Sequence, residues 1–592
     1  MSTTRQRLKT VFAVIGVLST LLVVLGTATV VTCSCVTRDE VPDATVLELH
    51  LDRPLAIEGV DDPLEAVLGG RGMSVEQLVA ALQRGAADDR VLGVVAYLDG
   101  TSHGMARVQE LRDAVLAFRE SGKPAFAFAE TFGESSSGTQ GYYLATAFDE
   151  IYLQPTGTLG LTGLRAEKMY LRGAMDKLEI EPEGGRRSEY KSAYELYTAR
   201  HMSAADREQY TAMLGDLHDA IVEAIAPRLG DDVARAREAI EQGPYLASRA
   251  QGLGLVDGLA YRDEVITKLR ERTGEAELLY PGPYLERAGG PWDEGEVIAV
   301  VYGSGAIVRG SSSYDPIEGQ AMMGAESVSA SLRAAIEDPE VRAIVFRVDS
   351  PGGSAVASDA IWRTTQQARN AGKPLIVSMG NVAASGGYYV AAGATKIVAQ
   401  PSTITGSIGV LSVKPVTRGL WNKLGITWDS VQTSSNAANW SMVEGYDEQG
   451  RAGLDRMLDR VYADFKQRVV DGRGLSAEQV EQLARGRVWT GQRAKELGLV
   501  DELGGLTTAI GLARAEAGLD ADAPIELRRY PQPRGLVAQL LRGSPDNSDD
   551  VGARARVDAG LERWRGVAAG LRAIEMSSGA AGPLVVDPVS IE

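Results

Sequence analysis

Two short segments in the second half of the chain carry residues suited to nucleophilic chemistry. Val348-Asp349-Ser350-Pro351-Gly352-Gly353-Ser354 reads as a strand end running into a glycine-rich turn. Further on, a strand is expected to end at Gly380, a turn to cover 381–384, and Ser385-Gly386-Gly387-Tyr388 to open a helix. A serine in the first turn of a helix lies among unpaired backbone N–H groups at the positive end of the dipole. Adjacent glycines let a substrate backbone approach closely. That combination suits a nucleophile whose transition state carries an oxyanion, with the amides of Gly352 and Gly353 aimed at an anion from a second turn. Each segment also has a plainer reading: serine is a preferred N-cap, and many glycine-rich turns bind nothing.

A serine nucleophile needs a base. The four histidines, His50, His103, His201 and His218, all lie in the first half, so a Ser-His-Asp triad within the second half is impossible. The base must come from the first half or be something other than histidine. Lysine can serve when burial lowers its pKa toward neutrality. The segment Arg187-Ser188-Glu189-Tyr190-Lys191-Ser192-Ala193 offers Lys191, although most lysines are solvated surface groups.

The elements that would position these residues come as an internal repeat. VLGVVAYLD from Val91 is matched by VRAIVFRVD from Val341, and GKPAFAF from Gly122 by GKPLIVS from Gly372. Asp99 to Pro124 and Asp349 to Pro374 both span 25 positions. QGYYLATAFDEIYLQP from Gln140 is followed by its counterpart GGYYVAAGATKIVAQP from Gly386, and ASRAQGLGLVDGL from Ala247 by GQRAKELGLVDEL from Gly491. Short apolar strands alternating with helical stretches imply βαβ units and a parallel sheet in each copy. The expected division is a basic stub and anchor at 1–40, repeat 1 at 41–275, a Pro/Gly-rich linker at 276–294, repeat 2 at 295–532 and a polar tail at 533–592, with one amphipathic stretch near Val557–Ile574.

The motifs AASGGYY at Ala383, DSPGGS at Asp349, PSTITGSIGV at Pro401 and YKSA at Tyr190 closely resemble those of the signal peptide peptidase A family in its long tandem-repeat form, the protease IV type. The resemblance runs from the N-terminal segment to about residue 530. It implies two tandem, diverged α/β domains of the crotonase or Clp-protease type. It also implies that Ser385 is the nucleophile and Lys191 the general base, and that Ser407 orients the lysine. Gly352 and Gly353 would supply an oxyanion amide, with Gly386 beside them. Implied too are a substrate class of cleaved signal peptides and a ring-like homo-oligomer, a tetramer. The repeat alignment agrees: Ser385 falls opposite Thr139, Gly386 opposite Gln140, Ser407 opposite Leu161, and Gly352 and Gly353 opposite Ser102 and His103. Around the position opposite Lys191, repeat 2 reads Val431 to Ala438 with no lysine. Each copy lacks what the other keeps, as a single composite site requires. His103 stands as a rival base, but it replaces an oxyanion glycine.

Arg5, Arg7 and Lys9 precede an uncharged apolar run of 21 residues, Val11 to Val31. That is the length of a transmembrane helix, with the basic flank cytoplasmic and the rest of the chain outside; a cleaved signal peptide is the alternative. With the resemblance, this implies single-pass attachment to a bacterial inner membrane. Cys33 and Cys35 are too close to bridge without strain and fit a lipid-attachment site poorly. The formal net charge of -18 argues against a nucleic-acid partner. No metal and no cofactor is expected. An acyl-CoA enzyme on the same superfamily fold and a non-catalytic scaffold are the competing functions. The first has little use for an exported catalytic domain, and the second would be marked by loss of Ser385 or Lys191.

Overall fold

The computed structural model describes residues 40–58, 72–134, 136–315, 320–531 and 590–591. The expected anchor, Cys33 and Cys35, and the tail with its amphipathic stretch lie outside the described residues, apart from the final strand pair at Ser590–Ile591. Among the described residues no helix is long and apolar enough to cross a membrane.

Repeat 1 supplies β1 (Thr45–His50), α1 (Val75–Ala87), β2 (Val91–Leu98), α2 (Met105–Arg119), β3 (Ala125–Ala129), α3 (Thr139–Ala145), β4 (Glu150–Leu153), β5 (Glu181–Arg186), α4 (Ala204–Ile225), β6 (Gly258–Leu259) and β7 (Glu277–Leu279). Six of the strands form a sheet in the order β7-β1-β2-β3-β4-β6, all parallel. Residues 276–294, expected as linker, thus contribute an edge strand, followed by a helix at Pro281–Ala288.

Repeat 2 supplies β8 (Glu296–Ser304), α5 (Ala325–Glu337), β9 (Val341–Ser350), α6 (Ala355–Asn370), β10 (Leu375–Ala384), α7 (Gly386–Ala391), β11 (Lys396–Ala399), β12 (Ile404–Gly406), β13 (Leu411–Val416), α8 (Glu448–Arg473), β14 (Val488–Thr490), β15 (Glu502–Leu503) and β16 (Ile525–Tyr530). Its main sheet runs β14-β12-β10-β9-β8-β16, with β11 also on β10 and β15 on β11. All pairs are parallel except β12 with β14. The α/β architecture with parallel sheets in two repeats is therefore as the sequence pattern implied.

The repeated motifs have shared structural reasons. Gly122 and Gly372 end their helices at φ 78° and 73°, a region that favours glycine. The following lysine reaches the carbonyls at the C-terminal end of an earlier helix, α1 or α5: Lys123 Nζ donates to Gly85 O (2.8 Å) and Asp88 O (2.7 Å), and Lys373 Nζ to Ala335 O (3.2 Å) and Asp338 O. The tyrosine of each GYY donates to the first leucine carbonyl of each LVD: Tyr142 Oη to Leu255 O at 2.6 Å, Tyr388 Oη to Leu499 O at 2.9 Å. The aspartate of each LVD accepts from a strand amide, Ile151 N or Ile397 N, at 2.7 Å.

The two repeats share a core. Ile298, Val300, Ala343, Val345 and Ile376 on one face of the second sheet join the buried cluster of repeat 1. Their alternates Ala299, Val301, Ile344, Phe346 and Val377 face a cluster of their own. Across the junction β5 pairs antiparallel with β13, from Arg186↔Leu411 to Glu181↔Val416. Arg347, 2% exposed, binds Glu58 (3.0 Å) and Glu110 (2.5 Å) of repeat 1. Arg107 of α2 binds Asp349 at 2.9 Å.

Candidate active site

The sequence suggested a turn at 381–384; instead β10 continues through Ala384. Its first half pairs with β11 over Ile376–Ser378, and once β11 peels away, Val382–Ala384 find a new ladder on β12. The amide of Ser385 extends that ladder to Gly406 O at 2.9 Å. Ser385 is thereby delivered to the end of a long central strand, at the N-cap of α7, with φ 54° and ψ -117°. Such a backbone costs a non-glycine residue of order 1–3 kcal/mol and persists only where its surroundings enforce it. The hydroxyl makes no capping hydrogen bond to the helix, unlike the ordinary role of an N-cap serine.

The Ser385 hydroxyl faces Lys191 instead. Lys191 Nζ lies 3.0 Å from Ser385 Oγ, 2.9 Å from Ser407 Oγ and 2.8 Å from Ser407 O. Lys191 is 1% exposed, Ser385 4% and Ser407 8%. The strand pair β5–β13 carries the chain of repeat 1 over to repeat 2 just before this lysine. Ser407 has φ 49°, and its amide donates to Arg487 O at 2.7 Å. Gly486 closes over the lysine backbone so tightly that a Cβ there would lie 2.5 Å from Lys191 N and 2.7 Å from its Cβ. Burial disfavours the ammonium form of an amine, and a neutral amine at this distance can take the serine proton.

The three glycines converge on the same spot. A Cβ on Gly352 (φ 102°) would stand 2.6 Å from Gly386 N and 2.8 Å from Ser385 Cβ. A Cβ on Gly386 would stand 3.1 Å from Gly353 N. The Gly352 amide is committed to Ser350 Oγ at 3.1 Å. Beside Lys191 and Ser407 lies a cavity of about 130 Å³, lined among others by Pro351, Val382, Ile404 and Val488 of repeat 2 and by Tyr210 and Met213 of α4. Its wall is mostly apolar.

His103 is buried, its Nε2 sits 2.8 Å from Leu51 O, and burial lowers its pKa. Its contribution to the neighbourhood is its carbonyl, which accepts from Asn381 Nδ2 at 3.0 Å. Sequence reasoning missed the polar layer behind Lys191, where Lys168 and Gln209 both bond to Ser192 and to Asp206. An arginine inside the apolar run VRAIVFRVD was a usable signal for the buried Arg347 contacts.

Comparison with known proteins gives the geometry a family. The model of peptidase family S49 matches residues 117–275 and 367–520, one stretch in each repeat. The chloroplastic serine protease SPPA of Arabidopsis thaliana is 31% identical over 481 residues, covering 80% of this chain and 70% of that protein. Protease 4 of Salmonella typhi is 33% identical over 75% of this chain and 72% of its own length. Protease 4 of Haemophilus influenzae is 31% identical over 77% and 75%. The chain belongs to peptidase family S49 and is a serine protease.

Proposed function

We propose that the chain is a membrane-anchored endopeptidase with a Ser385–Lys191 dyad, digesting cleaved signal peptides and other apolar peptides at a membrane surface. The observation that carries this reading is the 3.0 Å contact between Lys191 Nζ and Ser385 Oγ, made between residues 194 positions apart, with the lysine 1% exposed. Lys191 takes the Ser385 proton as Oγ bonds to the peptide carbonyl carbon. The amides of Gly353 and Gly386 hold the oxyanion, because that of Gly352 is already given to Ser350. Collapse breaks the C–N bond, and Lys191 returns the proton to the leaving amine. Water, deprotonated by Lys191, then cleaves the acyl ester and restores the serine. Ser407 aims the amine through its hydroxyl and carbonyl.

The apolar cavity and the resemblance to signal peptide peptidase A favour apolar substrates. The 21-residue uncharged run after Arg5, Arg7 and Lys9 favours an anchor at 1–40, with two crotonase/Clp-protease-like domains at 41–275 and 295–532 outside the membrane. A homo-oligomer, a tetramer by resemblance, is favoured by repeat symmetry. The repeat 2 counterpart of β5, residues 427–432, is exposed, with Trp428 and Val431 among the exposed apolar side chains. The test is cleavage of a signal-peptide substrate by wild type, Ser385→Ala and Lys191→Ala. Loss of turnover in both folded variants is expected, and turnover by either overturns the dyad.

A further inference from the structure

Lys191 sits at the apex of a tight turn. Its backbone has φ -75° and ψ 66°, and Ser192 N donates to Tyr190 O at 2.8 Å, the geometry of an inverse γ-turn. A three-residue turn fixes where the side chain starts but is itself a shallow minimum. What surrounds it must hold it.

Both flanks of the apex are gripped by one buried polar group. Gln209 Nε2, on α4, is within hydrogen-bond distance of Tyr190 O (3.3 Å), Ser192 Oγ (3.0 Å) and Asp206 Oδ1 (2.9 Å). Lys168 Nζ donates to Ser192 O (3.1 Å) and Ser192 Oγ (3.0 Å) and pairs with Asp206 Oδ2 at 2.9 Å. The Lys168 and Asp206 side chains are 1% and 0% exposed, and Gln209 is 2% exposed. Gln209 also faces the other repeat: its Oε1 accepts from Val488 N at 3.2 Å. Val488 opens β14, which pairs with β12, whose last residue, Gly406, precedes Ser407. A single amide side chain therefore ties the turn that bears the lysine to the strand pair that bears its orienting serine.

A buried ion pair is weak ground for stability, because desolvation consumes most of its attraction. Its better-attested use is to fix one arrangement among several. Here the pair does not touch Ser385. It sets the orientation of Gln209 and Ser192, and these set the turn.

We infer that Gln209, held by the Lys168–Asp206 pair, is a positioning residue that fixes the Lys191 turn relative to Ser407 and Ser385. The inference rests on Lys191 being the base. Displacing a catalytic group by about 1 Å costs up to about a hundredfold in rate, while substrate still binds in a cavity of which Gln209 is one lining side chain among many and whose bulk there methionine keeps.

The test measures kcat and KM on a fluorogenic apolar peptide, per folded protein by near-UV circular dichroism, for wild type, Gln209→Met, the Lys168→Met/Asp206→Leu double variant, and Lys191→Ala. Methionine keeps the length and burial of Gln209 but can make none of its hydrogen bonds. The expected result is a kcat reduced about ten- to a hundredfold with KM within about twofold, in Gln209→Met and in the double variant alike. The double variant removes both charges together, so it does not strand a buried ion if Gln209→Met fails to fold. Wild-type kcat in either folded variant, or a loss of activity wholly accounted for by unfolded protein, overturns the inference. Activity retained by Lys191→Ala sinks the dyad reading itself, whereas a dead Lys191→Ala beside a fully active Gln209→Met sinks only the positioning role.

Discussion

Substituting Gly486 by alanine tests the site through a residue that does no chemistry. Gly486 has φ 78°, and an added Cβ would lie 2.7 Å from Lys191 Cβ and 2.8 Å from its Cα. Carbon atoms rest about 3.5–4.0 Å apart, so the two backbones must separate by about 1 Å. The left-handed backbone adds about 1–2 kcal/mol for an L-residue. Lys191 Nζ is 3.0 Å from Ser385 Oγ, and moving its backbone by that amount takes the pair out of hydrogen-bond range. The expected outcome is a fall in kcat of about a hundredfold, with the protein still folded. The assay is steady-state peptide cleavage beside thermal unfolding of the same preparation. A folded Gly486→Ala enzyme with kcat within about twofold of wild type would refute the reasoning, because the amine would then tolerate a displacement the mechanism forbids.

Ser407→Ala removes one of the oxygens around the Lys191 amine but leaves the Ser407 carbonyl; one hydrogen bond of about 1–1.5 kcal/mol predicts about a tenfold loss of kcat, read in the same assay. Arg347→Met strands two buried carboxylates, Glu58 and Glu110, and should cost about 3–5 kcal/mol in urea unfolding. Burial pushes the Glu58 carboxyl up, but Arg347 and Arg107 outweigh it and hold its pKa below the ordinary value. The stability this group contributes is therefore present above the unfolded pKa and lost as pH falls through the folded one, so wild type should lose stability below the ordinary glutamate range more steeply than Arg347→Met. The full chain should fractionate with membranes and a chain lacking residues 1–40 should not; a full chain recovered in the supernatant would remove the anchor from the account.

The repeat was legible because it recurs in blocks whose residues meet one another. GKP ends a helix and caps the one before it, and the GYY tyrosine finds the LVD leucine carbonyl, so the same spacing had to appear twice. The convergence of Ser385, Lys191, Ser407 and the three glycines was implied by the resemblance to the signal peptide peptidase A family, and the complementary losses between the copies agreed with it. What did not show was the path of the backbone near Ser385. An expected turn is the second half of a strand, since nothing in Asn381-Val382-Ala383-Ala384 announces a change of neighbour from β11 to β12. Nor did the β5–β13 pair show, because Glu181-Pro182-Glu183-Gly184-Gly185-Arg186 has a strand's geometry without a strand's composition. The Lys168–Asp206–Gln209 layer was invisible for a related reason: Lys168 lies 38 positions before Asp206, and each member alone resembles a surface residue.

The most direct test of the central claim is the pH dependence of kcat/KM for wild type beside Lys191→Arg. Only a neutral amine can take the Ser385 proton, and an exposed lysine, with a pKa of about 10.4, would be almost fully charged near neutrality. Lys191 is buried, and burial disfavours the charged form of an amine, so if it is the base wild-type kcat/KM should rise with pH through a single ionisation below the free-lysine value. Lys191→Arg, which stays charged, should be nearly inactive at every pH. A wild-type profile flat across about pH 6–10, or an arginine variant of near-normal rate, would mean that another group is the base.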